Sequence, residues 1–159
     1  MMGEMPMPCR SCTEALSATL LLFAVILSAC ASEGQLQAFS TDGCSLFPDR
    51  SLISKANWCQ CCVVHDLAYW RGGTSQARLS ADKALSACVL RVTGNKALAD
   101  LMYAGVRTGG GPHFYTPYRW GYGWPFGRPY RELTPEEEAK ASALEREYRA
   151  ANPSLACTK

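Results

Sequence analysis

The rhythm of apolar and polar positions changes several times along the chain, and each change marks an element. Residues 15–29 form an apolar run broken only by small hydroxyl side chains and closed by Leu27-Ser28-Ala29-Cys30. Such a run reads as the core of an export signal, and it is too short and too interrupted for a membrane-spanning helix. Residues 30–40 read as a tether, and 41–50 as a loop with Asp42-Gly43 and Phe47-Pro48-Asp49 as turn signals. A helix is predicted over 54–70, with Cys61, His65, Ala68 and Tyr69 on one face and Gly72-Gly73 as its stop. Thr74 or Ser75 caps a second helix that runs through Ala77, Leu79, Ala81, Leu85, Cys88 and Val92 toward Gly94. A third helical piece covers 96–106, either separate or continuing the second after a break. Residues 108–130, rich in glycine, proline and aromatic side chains, predict irregular structure. Thr134-Pro135-Glu136-Glu137 is a helix start, with a Thr cap, Pro at the first position and Glu at the third. That helix, a solvated amphipathic strut, ends near Ala151, before Asn152-Pro153. Neither a repeat nor a strand ladder is evident, so the fold class is mainly α.

Composition places that fold outside the cell interior. After removal of 1–29, 130 residues remain, enough for one domain with a modest core. Residues 41–106 form its centre, and 107–159 add an aromatic segment and a helix to the same domain. Fifteen lysine and arginine side chains face 12 aspartates and glutamates, scattered along the chain, so no nucleic-acid surface is indicated. The small positive excess suits an anionic lipid surface. Beyond Cys9, Cys12 and Cys30, six cysteines remain: 44, 59, 61, 62, 88 and 157. An even number in a small exported domain implies three disulfides, with 15 connectivities open.

Cys30, directly after the small-residue site, resembles the lipidated cysteine of a bacterial lipobox, although an ordinary signal peptide is the other reading. Ala31 rather than an acidic residue after it implies, by that resemblance, an outer-membrane lipoprotein.

The two central helices carry the chemistry. Packed antiparallel around Gly72-Gly73-Thr74, they bring His65 opposite Asp82, with Cys61 and Cys88 about a turn away and Ala68 level with Ala81. A His–Asp hydrogen bond fixes the imidazole tautomer and leaves the second ring nitrogen to take a proton. Tyr69, one turn past His65, reaches the same aspartate, while Asp66 points aside, toward whatever precedes the helix. Two alternatives accompany this reading. Cys59-x-Cys61-Cys62-x-x-His65 has the ligand types of a zinc cluster, but an oxidising setting argues against free thiolates. His113, in the aromatic segment, reads as a loop residue without an evident partner.

Over 41–92 the chain resembles the secreted phospholipase A2 family. The active-site helix is Cys61-Cys62-Val63-Val64-His65-Asp66-Leu67-Ala68-Tyr69. The second is Ala81-Asp82-Lys83-Ala84-Leu85-Ser86-Ala87-Cys88-Val89. The matching positions are Cys61, Cys62, His65, Asp66, Tyr69, Asp82 and Cys88. Ala68 and Ala81 stand where the family joins the helices by a further disulfide, so both halves of that bridge are absent together. The short link from His65 to Asp82 is similar to the compact bacterial forms, and Asp42-Gly43-Cys44-Ser45 to the divergent group-twelve loop. The resemblance implies Cys61–Cys88 and Cys44–Cys62 disulfides, which leaves Cys59 to Cys157. It implies Ca²⁺ held by Asp66 and by carbonyl oxygens of Gly43, Ser45 and Phe47, a set of hard oxygens suited to that ion. Asp49 is a further candidate carboxylate.

The implied activity is calcium-dependent hydrolysis of the sn-2 ester of a glycerophospholipid. His65 is the base, Asp82 steadies it and Tyr69 supports Asp82. The chain has no Gly-x-Ser-x-Gly elbow that would suggest an acyl-enzyme. The other reading is a non-catalytic envelope lipoprotein that keeps the fold and binds lipid or a protein. The rings of Tyr115, Tyr118, Trp120, Tyr122, Trp124 and Phe126 either pack over the helices as supplementary core or form an interfacial surface.

Overall fold

The computed structural model describes residues 34–155. The signal segment, Cys30 and Cys157 therefore lie outside the described residues. The described part is mainly helical: α1 (Cys59–Arg71), α2 (Ser75–Thr93), α3 (Lys96–Gly109) and α4 (Pro135–Ala151), with no strand among the described residues. None of these helices is long and apolar enough to cross a membrane.

α1 begins later than the predicted residue 54, because the preceding serines divert the backbone donors. Ser51 Oγ accepts from the amides of Ile53 and Ser54, and Ser51 N donates to Ala56 O at 2.9 Å. Side chains of this kind compete with a helix for its first donors. Asn57 Oδ1 then accepts from Cys59 N at 3.0 Å, and the helix starts. α2 is capped by Thr74, whose hydroxyl accepts from Ala77 N, and it ends at Gly94 in the left-handed conformation, φ 65°. Asn95 at once caps α3 through Leu98 N, so the third helix is separate, and it runs to Gly109 rather than 106. At Thr134 the capping box is complete.

α1 is the central element, buried on two sides. One side, with Cys61 and Cys62 and the preceding Trp58, packs on Leu85 and Val89 of α2 and Ala99 and Met102 of α3. The other, with Val63, Leu67 and Trp70, packs on Ala141 of α4, Trp124, Leu36 and Phe39. Leu36 and Phe39 correct the tether expectation for 35–40. Both are buried, Gln37 N donates to Gly123 O at 2.8 Å, and Trp70 Nε1 donates to Gln37 O at 2.8 Å. Cys44–Cys62 and Cys61–Cys88 disulfides fasten α1 to the upstream loop and to α2. Cys59 is also disulfide-bonded.

The aromatic segment closes the end of α1. A helix leaves its last carbonyls without partners. Here Gly121 N takes Tyr69 O, Gly123 N takes Trp70 O, and Trp124 Nε1 takes Arg71 O. Trp120 and Trp124 are buried and supply core, whereas Tyr115 and Phe126 stay exposed and pack on each other.

Candidate active site

Asp82 is wholly buried, which for an ionised carboxylate demands partners on both oxygens. α1 supplies two: His65 Nε2 at 2.9 Å and Tyr69 OH at 2.8 Å, both on Oδ1. Oδ2 takes Arg107 Nη1 of α3 at 2.6 Å, and Arg78 Nε lies 3.9 Å from it. Burial alone would raise the Asp82 carboxyl, but hydrogen bonds from His65, Arg107 and Tyr69 outweigh it and hold the group below the ordinary carboxylate range. Burial pushes the Tyr69 hydroxyl up, against the hydrogen bond from Arg78, so Tyr69 stays protonated and donates.

These contacts define the imidazole. Because Asp82 Oδ1 accepts from Nε2, the hydrogen-bond network assigns the proton there and leaves Nδ1 as the bare nitrogen. Asp66 Oδ1 lies 4.0 Å from Nδ1. His65 and Asp66 both line a cavity of about 330 Å³. The 43–47 loop walls it on one side, and Leu101, Met102 and Val106 of α3 wall it on the other. A base, a carboxylate and an apolar slot therefore meet in one place.

The loop is tied to α1 by more than its disulfide. Thr41 Oγ1 donates to Asp66 Oδ2 at 2.6 Å and accepts from Gly43 N at 3.1 Å. Gly43 has φ 81°, and a Cβ there would stand 2.6 Å from Asp49 Oδ1, so glycine is required. Asp49 turns out to be a brace: it is buried and accepts from Cys44 N at 2.7 Å, which commits the carboxylate to the loop backbone.

Asp66, Gly43, Ser45 and Phe47 all line the cavity, and a carboxylate with backbone carbonyls is the kind of hard-oxygen set that Ca²⁺ would take. The donor set fits that ion. The Ser45 hydroxyl donates to Asp42 Oδ1 at 2.6 Å. Among the described residues no group of three or more His, Cys, Asp or Glu forms a metal cluster. Cys59, Cys61 and Cys62 are all disulfide-bonded, so they are not thiolate ligands.

Sequence reasoning missed Arg78, Arg107 and Gly110. Arg78 is buried, donates to Tyr69 OH at 3.0 Å and to Tyr130 OH at 2.7 Å, and caps the Val106 and Arg107 carbonyls of α3. Its signal was available: it sits one helical turn before Asp82 on the buried face of α2. Gly110 is pressed against Tyr69, where a Cβ would lie 2.7 Å from the hydroxyl oxygen.

No family model, curated protein or solved structure matches this chain.

Proposed function

We propose that the protein is a phospholipase A2-like ester hydrolase, exported and held at the cell envelope through Cys30. One observation carries the reading. A histidine whose Nε2 is bound to a buried aspartate keeps its Nδ1 beside Asp66 in an apolar slot. In the reaction, His65 Nδ1 takes a proton from water as the oxygen attacks the ester carbonyl. The imidazolium is stabilised by Asp82, and the same proton passes to the departing alkoxide, giving fatty acid and lysolipid. Tyr69 and the arginines keep Asp82 ionised and aimed at Nε2. Asp66 and the loop carbonyls would hold Ca²⁺, which would supply positive charge to offset that of the substrate phosphate and of the developing oxyanion. The apolar walls from Leu101, Met102 and Val106 suit an acyl chain.

Release of fatty acid from mixed phospholipid vesicles, with and without calcium, tests the proposal. The unaltered protein is expected to release sn-2 fatty acid only with calcium. His65→Gln is expected to abolish release, and Asp82→Asn to lower it about 100-fold or more. Calcium-independent release, or release that survives His65→Gln, would sink it. Asp66→Asn should also remove any calcium-dependent rise in Tm.

A further inference from the structure

Asp82 and Asp66 compete for the imidazole of His65. Asp82 Oδ1 lies 2.9 Å from Nε2, and Asp66 Oδ1 lies 4.0 Å from Nδ1. A neutral imidazole carries one ring proton, and the carboxylate that attracts it more decides which nitrogen is bare. Distance favours Asp82, but only while Asp82 is an ionised and correctly turned acceptor. A protonated Asp82 would donate to Nε2 and send the ring proton to Nδ1. That form leaves no bare nitrogen beside Asp66.

Two arginines close off the alternative. A guanidinium donates, never accepts, and keeps its proton. Arg107 Nη1 donates to Asp82 Oδ2 at 2.6 Å, which commits that oxygen to accepting. Arg78 Nε donates to Tyr69 OH at 3.0 Å. Tyr69 must then direct its own hydrogen elsewhere, and Asp82 Oδ1 at 2.8 Å is nearer than Val106 O at 3.3 Å. Both Asp82 oxygens therefore receive hydrogens from the arginine side, and His65 is left to donate from Nε2. Asp82 has no exposed surface, so water cannot replace a missing donor. Arg78 is itself held, by Tyr130 OH at 2.7 Å and by the Val106 and Arg107 carbonyls at 2.8 and 2.9 Å.

We propose that Arg107, supported by Arg78 through Tyr69, is a positioning residue that fixes the Nε2–H tautomer of His65 and so keeps Nδ1 bare. Arg107 acts through Asp82 and does not itself line the cavity. The use of that nitrogen as a base rests on the ester-hydrolase reading; the tautomer does not.

Long-range proton–nitrogen correlation spectra of the imidazole read the tautomer directly, at about pH 8, above the ordinary histidine range. The chain has two histidines, so the full chain carrying His113→Gln and Cys30→Ser shows His65 alone and bears no attached acyl chain. This parent is expected to hold His65 as the Nε2–H form. Arg107→Gln should raise the Nδ1–H fraction about tenfold. Arg107→Lys restores a donor-only cation and should return the fraction to within about twofold of the parent. The Arg107 side chain is 34 % exposed, so both variants are expected to fold. If Arg107→Gln does not, Tyr69→Phe carries the test: it cuts the link to Arg78 and should raise the same fraction. A tautomer ratio unchanged in the folded variant overturns the proposal, as does a parent in the Nδ1–H form or a lysine that fails to restore the parent ratio. Fatty-acid release from mixed vesicles gives the second readout. Arg107→Gln should lower kcat about tenfold with KM within about twofold of the parent, and Arg107→Lys should recover most of the loss. A shifted tautomer in Arg107→Gln of a parent that releases no fatty acid supports the positioning role and overturns hydrolysis. An active parent whose tautomer ignores Arg107→Gln overturns the positioning role alone.

Discussion

Arg107 holds the one oxygen of Asp82 that His65 leaves open. Its Nη1 donates to Oδ2 at 2.6 Å, while His65 and Tyr69 converge on Oδ1 at 2.9 and 2.8 Å. Three helices therefore meet on one buried carboxylate: α2 contributes Asp82, α1 the pair on Oδ1, and α3 the guanidinium. The same α3 walls the cavity through Leu101, Met102 and Val106, so the slot and the dyad share a support.

Arg107→Gln should lower stability at neutral pH by about 1–3 kcal/mol, because it removes a charge-assisted bond and leaves Oδ2 poorly matched. The sign with pH follows from Asp82. Its folded pKa lies below the ordinary 3.8, so its stabilisation is full above that value and is lost as pH falls through the folded one. The variant loses part of that depression. The gap between the two proteins should therefore be full at pH 7 and shrink below about pH 4. Urea unfolding at pH 7 and pH 3 measures it, and a gap that widens on acidification contradicts the assignment.

The dyad was legible because it is local. His65 and Tyr69 lie one turn apart on α1, Asp82 lies on the next helix, and a turn of three residues fixes their antiparallel register. Arg107 was not legible. Its helix leaves Gly94-Asn95 in a direction set by packing of Ala99 and Met102 on α1 and α2, which no periodicity encodes. Leu36 and Phe39 were hidden for a related reason: two apolar residues in a polar stretch have no detectable period, yet both are buried in the cluster that holds Trp70 and Trp124. The start of α1 was misread because helical spacing alone does not reveal serines that consume backbone donors upstream. The position of the metal-loop candidates was readable from Cys44, whereas the inward turn of Asp49 depends on the loop conformation around Gly43.

Gly123 and Gly105 should respond oppositely to alanine. A Cβ at Gly123 would lie 2.4 Å from Cδ1 of Trp70, a wholly buried ring, and 2.6 Å from Leu36 Cδ1. Gly123→Ala should cost about 2–3 kcal/mol through overpacking. Gly105 is inside α3 with open space around its Cα, so Gly105→Ala should stabilise by about 0.5–1 kcal/mol. Chemical denaturation of both proteins checks the pair. Equal effects would mean that the aromatic segment does not press on α1.

Glu137 gives the C-terminal helix an acid limit. Arg128 donates to both its oxygens at 2.9 and 2.8 Å, and Thr134 N donates at 3.0 Å. The Arg128 guanidinium, chiefly, pulls the Glu137 carboxyl down to about 2 from its ordinary 4.5. A depressed pKa stabilises the fold above 4.5, and this contribution is lost as pH falls from there to about 2. Glu137→Gln should cost about 1 kcal/mol at pH 7, by weakening the capping box and a partly screened ion pair. The cost should vanish near pH 2. Thermal melts across that range decide it, and a pH-independent difference would assign the effect to packing instead.

Ala68 and Ala81 should accept a new disulfide. Cys61 and Cys88 are bonded, with Cα atoms 5.7 Å apart. Ala68 lies seven residues after Cys61, and Ala81 seven before Cys88, so the antiparallel register returns them to the same level and the same faces. His65 and Tyr69 both reach Asp82, which brackets that level from either side. The double variant Ala68→Cys, Ala81→Cys, refolded under oxidising conditions, should form the bond and gain about 3 kcal/mol by closing a loop of roughly 13 residues. Mass spectrometry after thiol alkylation reads the bond, and denaturation with and without reductant reads the gain. Two alkylated thiols would show that the helices splay between the dyad and the Gly72-Gly73 turn.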